Sequence, residues 1–281
     1  MPADLHLHSI YSDGSFTPSE LVEMAARKGI DTIALSDHDT IEGINEMIAA
    51  ARLRDIEVIP AIEFSTSQDG VEIHILGYYI DFNSRTFLEE VKRLFDQRLK
   101  RSEMMVEKLN RLGVEISFQD VKEIAGDKYV GRPHIARAMK KAGYIKEIGE
   151  AFTDQYIGNG GRAYVGREKI SPREAIEIIR KNGGIAVLAH PFFVNGGDSL
   201  DKKSIELLAE DGLEGLEVFH SRHSQEVSGY YLKIAEELGL LVTGGSDFHG
   251  ESSPDVKIGD VLLADEYVRG FREYYKNRRK I

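Results

Sequence analysis

The hydrophobic and polar positions of the first 80 residues alternate between two periods. In "ADLHLHS" leucines and histidines alternate, which predicts a strand because alternate strand residues share a face. "TPSELVEMAARKG" has apolar residues at helical spacing, with Thr17 as N-cap, Glu20 closing a capping box and Gly29 at the end. The next segments are predicted as strand "DTIALSD", helix "TIEGINEMIAAARLRD" capped by Thr40, and strands "EVIPAIEFS" and "VEIHILGYYI".

The pattern changes in the middle of the chain. Between residues 84 and 167 the apolar spacing is mainly helical, and "TFLEEVKRLFDQRLKRSEMMVEKLNRLG" is the longest such segment. "SFQDVKEIAG" and "RPHIARAMKKAG" follow as shorter helices. We therefore expect a helical insertion over residues 84–167, acting as a substrate cap, within a host domain made of residues 1–83 and 168–281.

Strand and helix signals alternate again after the insertion. In order they are helix "SPREAIEIIRKNGG", strand "IAVLAHP", helix "DKKSIELLAEDG", strand "LEGLEVFH", helix "HSQEVSGYYLKIAEELG" and strand "LVTGGSD". The chain thus has about seven predicted strands, mostly parallel, which is typical of an α/β fold. A closed barrel and an open doubly wound sheet both fit this pattern.

Polar residues at strand ends favour the barrel. These residues are His6, His8, Asp13, Asp37, His38, Asp39, Glu63, His190, His220, Asp247 and His249, while His74 lies within a strand. The carboxyl ends of barrel strands converge on one face, whereas an open sheet would spread them along a line. The chain also lacks a GxGxxG or Walker motif. We therefore predict a barrel with a pocket for several metal ions, in which Asp39 anchors a turn and Asp37 could orient a histidine instead of ligating.

Composition and charge limit the types of metal site and binding partner that are possible. The 281 residues contain no cysteine, so disulfides and thiolate metal sites are excluded. The formal net charge is −11, from 47 acidic and 36 basic residues, which argues against duplex nucleic acid or an anionic membrane as partner. No apolar stretch approaches the roughly 20 residues of a membrane helix, and no signal-peptide pattern is present. We therefore expect a cytoplasmic protein.

Four motifs together resemble the PHP family, named after its polymerase and histidinol phosphatase members. They are "HLHSIYSDGS", "SDHDT", "LAHP" and "GSDFH", in this order. The segments "VGRPHIARAM" and "AYVGREKISPREAI" are similar to a subgroup that includes nucleoside 3′,5′-bisphosphate phosphatases and a 5′-to-3′ exonuclease acting on short RNA. The resemblance implies a distorted seven-stranded barrel.

The resemblance also implies three divalent metal ions, with manganese expected and iron or zinc as alternatives. Carried over by position, the ligands are His6, His8, Glu63 and Asp247 for the first ion, Glu63, His74 and His190 for the second, and Asp13, His38 and His249 for the third. Mixed imidazole and carboxylate ligands suit these metals better than calcium or magnesium.

Substrate-binding residues are less clearly marked. Arg132 and His134 could bind phosphate, since a guanidinium is a planar bidentate donor. The competing interpretation is that "GRPH" is only a helix start. His223 and Ser224 are weaker candidates of the same kind, and the role of His220 stays open.

The implied activity is hydrolysis of nucleotide phosphate esters, such as nucleoside 3′,5′-bisphosphates or short RNA 5′ ends, by in-line attack of a metal-bound hydroxide. The expected partner is a phosphorylated small molecule, a nucleotide or a short oligoribonucleotide. Alternatives are a histidinol-phosphate phosphatase, a non-catalytic metal-binding module associated with a polymerase and, by fold analogy alone, an amidohydrolase. The sequence does not indicate the oligomeric state.

Overall fold

The structure, a computed structural model, describes residues 2–126, 130–166, 169–193 and 199–278. It divides into two compact units, one made of Met1–Leu88 with Lys169–Ile281 and the other of Glu89–Glu168. We call them the barrel unit and the helical unit. The predicted boundary at residue 167 lies outside the described residues, and the substrate-cap role of the insertion stays a prediction.

Within the described residues, seven strands form one sheet in the order of the chain. The strands are β1 Ala3–Leu7, β2 Thr32–Leu35, β3 Glu57–Gln68, β4 Val71–Tyr78, β5 Ile185–Leu188, β6 Gly215–His220 and β7 Leu241–Gly245. Pairs β3–β4 and β4–β5 are antiparallel, and the other four are parallel. The predicted strand count and mostly parallel order are confirmed.

The first and last strands approach each other and nearly close the barrel. The backbone N–H of Asp247 donates to the carbonyl of His6 at 2.9 Å, and that of His8 to Phe248 at 3.1 Å. A Cβ atom at Gly245 would lie 2.4 Å from the backbone nitrogen of His6, so only glycine fits at this approach. The predicted distorted barrel is confirmed, and its closure brings together residues about 240 positions apart.

The helices of the barrel unit follow the expected capping chemistry with one exception. They are α1 Pro18–Arg27, α2 Ile44–Ala51, α6 Pro172–Lys181, α7 Lys202–Glu210, α8 Gln225–Leu238 and α9 Asp265–Arg278. Thr17 caps α1 and forms the predicted capping box with Glu20. The predicted Thr40 cap of α2 is wrong, because α2 begins after Gly43, which makes no side-chain cap. Residues 38–43 instead form a turn in which His38 pairs with strand β3.

The barrel unit also has an apolar core, built from its strands and from α9. Its buried residues include Leu5, Ile59, Leu76 and Val187 from the strands and Phe271 from α9.

The helical unit has a separate apolar core. Its elements are the greater part of α3 (Arg85–Arg111), α4 Phe118–Ala125, α5 Arg132–Lys141 and a 3₁₀ turn at Ile148–Phe152. Met105, Leu109, Val121, Ile135 and Met139 are buried together in this core. Among the described helices, none has both the length and the apolar character needed to cross a membrane.

Candidate metal centre

Four donor atoms from three parts of the barrel surround one point. Nε2 of His6 lies 3.1 Å from Nε2 of His8, 3.3 Å from Oε2 of Glu63 and 3.4 Å from Oδ1 of Asp247. Nε2 of His8 lies 3.2 Å from the same oxygens of Glu63 and Asp247. Ligands about 2.1 Å from a tetrahedral ion are about 3.4 Å apart, so these four atoms have the spacing of one coordination sphere. They are the set predicted for the first metal.

Glu63 connects this set to a second one. Its Oε2 faces His6 and His8, while its Oε1 lies 2.9 Å from Nδ1 of His74 and 3.0 Å from Nε2 of His190. The residue is fully buried. It does not end its strand, as the sequence suggested, because β3 continues to Gln68. Its two oxygens therefore point to two different groups of imidazoles, as a bridging carboxylate requires.

Asp13 lies close to the other two ligands predicted for the third ion, His38 and His249. Its Oδ1 lies 3.3 Å from Nε2 of His249 and its Oδ2 lies 3.8 Å from Nε2 of His38. Nδ1 of His249 donates to the carbonyl of Asp247 at 2.9 Å, so Nε2 of a neutral His249 presents its lone pair toward Asp13. Nδ1 of His8 also approaches Asp13, at 3.7 Å, which the sequence interpretation had not placed in this group.

The electrostatics show that the carboxylates need positive charge nearby. Burial alone would lower the pKa of His8, but Asp247 and Glu63 overcome it and raise this pKa to about 10. Against the same effect of burial, Glu63 and Glu72 raise the pKa of His74 to about 9. Protons on these imidazoles thus occupy places where cations would neutralise the carboxylates.

His38 gives the clearest indication that the cluster suits metal ions. Burial lowers its pKa to about 4, so its ring is neutral near pH 7. Its Nδ1 is buried and makes no hydrogen bond to a described residue, although Oε2 of Glu63 lies 3.2 Å away. A buried ring nitrogen without a hydrogen-bond partner, 3.2 Å from a carboxylate oxygen, fits a cation held by both atoms. The donor set, nitrogen and carboxylate oxygen without sulfur, fits divalent ions such as manganese, iron and zinc.

All nine predicted ligands therefore lie in one cluster, at the end of the barrel where most strands finish. Three overlapping groups could each hold an ion, namely His6, His8 and Asp247; His38, Glu63 and His74; and His8, Asp13, His38 and His249. The assignment of each ligand to an ion stays a prediction.

Three residues beside the cluster have left-handed backbone conformations without being glycine. The φ angles are 54° at Asp39, 24° at His190 and 56° at Asp247. Such conformations cost about 1–3 kcal/mol each and persist where the surroundings impose them. Asp39 is tied by its carboxylate, which accepts from the backbone of Ser65 at 3.0 Å. Its predicted role as a turn anchor agrees with this contact.

Two acidic residues that the sequence interpretation missed orient cluster histidines. Glu217 is fully buried, accepts from Nδ1 of His6 at 2.8 Å and accepts from the backbone of His190 at 2.7 Å. Glu72 accepts from Nε2 of His74 at 3.0 Å. Carboxylates that hold the second nitrogen of an imidazole fix which nitrogen faces a metal. Each had a weak signal in the sequence. Glu217 lies between apolar residues in "LEVF", and Glu72 comes two residues before His74 in "EIH".

Asp37 acts on the loop after β1 and not directly on a histidine. It accepts from the backbone and hydroxyl of Ser9 at 2.7 and 2.6 Å and from the hydroxyl of Ser12 at 2.6 Å. These bonds fix the loop that carries Asp13.

His220 is defined by its two hydrogen bonds. Its Nδ1 accepts from the backbone of Arg222 at 3.2 Å, so in the neutral ring Nε2 carries the proton. Nε2 then donates to Oδ2 of Asp247 at 3.3 Å. In this form His220 holds Asp247 in place as a donor and is not itself a ligand.

The predicted substrate residues are placed as follows. Nδ1 of His223 donates to the carbonyl of Val218 at 2.9 Å, and Ser224 caps α8. In the helical unit, Arg132 donates to Oδ1 of Asn159 at 2.8 Å. Nδ1 of His134 accepts from the backbone N–H of Gly131, the residue before α5, at 3.1 Å. His134 thus has a capping role in its helix. Phosphate binding by Arg132, His134 and His223 stays a prediction.

A cavity of about 210 Å³ opens onto the cluster. Six of the nine predicted ligands line it, together with Phe193, His220 and Arg222. Ionisable side chains thus form most of the lining, and access from solvent leads directly to the candidate ligands.

Comparisons with known proteins identify a family and similar proteins of known structure. A family model described as "PHP domain" matches residues 4–233. A 5′-3′ exoribonuclease of Haemophilus influenzae is 36% identical over 249 residues, covering 88% of this chain and 89% of the relative. A 3′,5′-nucleoside bisphosphate phosphatase of Chromobacterium violaceum is 32% identical, covering 90% of each. A crystal structure of a metal-dependent phosphoesterase of Bifidobacterium adolescentis superposes with a TM-score of 0.84 at 32% identity, covering 95% of this chain and 94% of the other.

Proposed function

Because the chain belongs to the PHP domain family, we propose that it is a metal-dependent phosphoesterase that hydrolyses nucleotide phosphate esters. The observation that carries the proposal is the single cluster in which Glu63 joins two groups of imidazoles. Its substrates are nucleoside 3′,5′-bisphosphates or the 5′ ends of short RNA. The relatives named for these two activities support this substrate class.

The charge of the site suits such a substrate. The protein is acidic overall, but the cluster has seven imidazoles, counting His220, around the carboxylates of Asp13, Glu63 and Asp247. Three divalent ions would add about six positive charges, against three negative ones from these carboxylates. An anionic phosphate is then attracted locally although the net charge of the chain would repel it.

Divalent ions, when bound, supply Lewis acidity and lower the pKa of water from 15.7 toward 7. The protein's residues determine where this chemistry takes place. Glu63 and Asp247 fix the separation of the groups, Glu217 fixes the orientation of His6, and His220 holds Asp247. No side-chain nucleophile is required, since attack by water on phosphorus needs only positioning and charge neutralisation.

We propose three ions, manganese first and iron or zinc as alternatives. The three overlapping donor groups support the number, and the mixture of imidazole and carboxylate supports the class of metal.

The test is phosphate release from adenosine 3′,5′-bisphosphate by protein reconstituted with manganese, with metal content measured on the same sample. We expect release by the loaded protein, loss after chelation and loss in His38→Ala together with part of the metal. Bound metal without release would contradict the proposal. Much faster hydrolysis of histidinol phosphate would favour that alternative substrate.

A further inference from the structure

We propose that Arg222 binds a second anionic group of the substrate, a phosphate other than the one that is hydrolysed. The inference rests on the proposed function and concerns substrate choice within it. Arg222 lines the cavity that opens onto the cluster, and its side chain is exposed there. It was not among the residues selected from the sequence.

Arg222 is the only guanidinium or ammonium group among the described residues that line this cavity. The other lining side chains are imidazoles, carboxylates and the ring of Phe193. A guanidinium stays protonated at any physiological pH and offers five donors in a planar fork that matches phosphate oxygens. Arg222 is therefore the group of this cavity that is best suited to recognise an anion without a metal.

The guanidinium of Arg222 also has no counter-charge among the residues that the structure describes. Among the described residues, no carboxylate lies within ion-pair distance of Arg222. Other arginines of the barrel unit pair with acids: Arg54 with Glu23 at 2.7 Å and Arg278 with Glu214 at 2.6 Å. In a chain with 47 acidic and 36 basic residues, an arginine that meets no described carboxylate at the mouth of this cavity remains available to an external anion.

The backbone that carries Arg222 is held firmly. Its N–H donates to Nδ1 of His220 at 3.2 Å, and the N–H of His223 donates to the carbonyl of His220 at 2.9 Å. Directly after it, Ser224 caps α8. The guanidinium lies 5.9 Å from the ring centroid of Phe193, a cation–π distance that limits its range of positions. The group is thus pre-positioned, which lowers the entropy lost on binding.

The difference in burial between the cluster and Arg222 indicates where each of the two phosphates binds. Glu63, His6 and His8 are buried, so the phosphate that reacts must lie at the cluster. Arg222 is exposed, so it meets a group that is still near the mouth of the cavity. A nucleoside bisphosphate, or an RNA end with its next phosphodiester, has such a second anion, whereas a nucleoside monophosphate does not.

The experiment compares adenosine 3′,5′-bisphosphate with adenosine 3′-monophosphate and adenosine 5′-monophosphate, using the manganese-loaded full chain. The measured quantity is the ratio of kcat/KM for the bisphosphate to that for the better monophosphate. We expect Arg222→Ala to lower this ratio about 10- to 100-fold, mainly through KM, because a charge-assisted hydrogen bond is lost. Arg222→Lys should retain part of the ratio, because the charge remains but the fork does not.

Arg173→Ala is the matched control, since Arg173 lines a separate cavity beside Asp211. It should leave the ratio unchanged, and all variants should keep the metal content of the wild type. Equal loss of kcat/KM on all three substrates, or an unchanged ratio in Arg222→Ala, would overturn the inference.

Failure of the proposed function has a different result. If the loaded wild-type protein hydrolyses none of the three compounds, equilibrium binding of the bisphosphate by calorimetry still tests Arg222. Weaker binding in Arg222→Ala than in the wild type and in Arg173→Ala would support its role. Equal binding in all three, or binding to none, would reject it.

Discussion

The strand ends of the barrel unit and the core of the helical unit bury opposite kinds of side chain. At the strand ends of the barrel, the buried side chains include His6, His8, Glu63 and Glu217, which are all polar and ionisable. In the helical unit the buried cluster is apolar throughout, with Met105, Leu109 and Ile135 among its members. The left-handed non-glycine residues Asp39, His190 and Asp247 all lie in the barrel unit.

Because of this difference, the two units are stabilised by different interactions. Burying ionised groups has a large desolvation cost that only close partners offset, and removing one partner of a buried pair costs about 3–5 kcal/mol. The barrel therefore depends on opposite charges, including bound cations, at one end. The helical unit depends on apolar packing and helix caps.

Glu63→Gln should have the largest effect on metal content and activity. If it had little effect, the contrast between the two units would be wrong. The amide keeps the volume but removes the charge that faces five imidazoles at 2.9–3.3 Å. We expect loss of at least one ion per chain and a fall in kcat/KM of more than about 100-fold, because even partners outside the ligand shell cost 10–100-fold. Metal analysis and phosphate release measure both.

The matched control is Glu177→Gln, an exposed carboxylate paired with Lys181. It should leave metal content and activity unchanged. If Glu63→Gln retained all of its metal and its activity, the bridging role of Glu63 would be wrong.

Leu109→Ala tests the other side of the comparison. Leu109 is fully buried in the apolar cluster of the helical unit. Its truncation should lower the free energy of unfolding by about 2–5 kcal/mol, through lost transfer energy and a cavity. The folded variant should still bind the wild-type number of ions, which thermal unfolding and metal analysis on one sample would show. A loss of metal from folded protein would mean that the two interiors are not independent.

The same contrast explains what the sequence could predict. Period-two and helical patterns depend on neighbouring residues, so strands such as β1 and capped helices such as α1 could be predicted from sequence. Strand-end histidines predicted a shared face because parallel strands end together. The seven-stranded barrel followed from these two local signals.

Long-range contacts could not be predicted in this way. The hydrogen bonds of Glu217 to His6 and to the backbone of His190 join residues 211 and 27 positions apart. The apolar neighbours of Glu217 in "LEVF" indicate burial, but they do not identify the distant residues to which it binds. The missing Thr40 cap has a similar cause, because pairing of His38 with β3 delays the start of α2. The sequence does not distinguish Arg222, because its significance depends on the lack of a carboxylate near it among the described residues of the folded chain.

Glu217→Gln should have an intermediate effect, because Glu217 acts through His6 and His190. Its carboxylate accepts from both residues, whereas an amide has one acceptor oxygen, so one of the two donors loses its partner. We expect metal affinity to fall about 10- to 100-fold. Calorimetric titration with manganese measures this in folded protein. A lower melting temperature with unchanged metal affinity would mean that Glu217 has only a structural role.

Substitution of two N-cap serines should have the smallest effect on stability. It compares the same kind of contact in the two units. Ser117 accepts from the backbone of Asp120 at 3.0 Å in the helical unit, and Ser171 accepts from Glu174 at 3.2 Å in the barrel unit. Each Ser→Ala change should lower the free energy of unfolding by about 1 kcal/mol. Denaturant unfolding of the metal-loaded and chelated forms measures both costs.

The two caps have the same chemistry, so any difference between them comes from the unit in which they lie. Neither serine is near a predicted ligand in the chain, and we expect metal content to stay constant in both variants. The stabilisation that metal adds should also be the same in both, because a cap acts on its own helix terminus and not on the charge balance of the cluster. Loss of metal in Ser171→Ala would show that helix α6 supports the cluster, and the barrel unit would then be one cooperative structure from its helices to its buried charges.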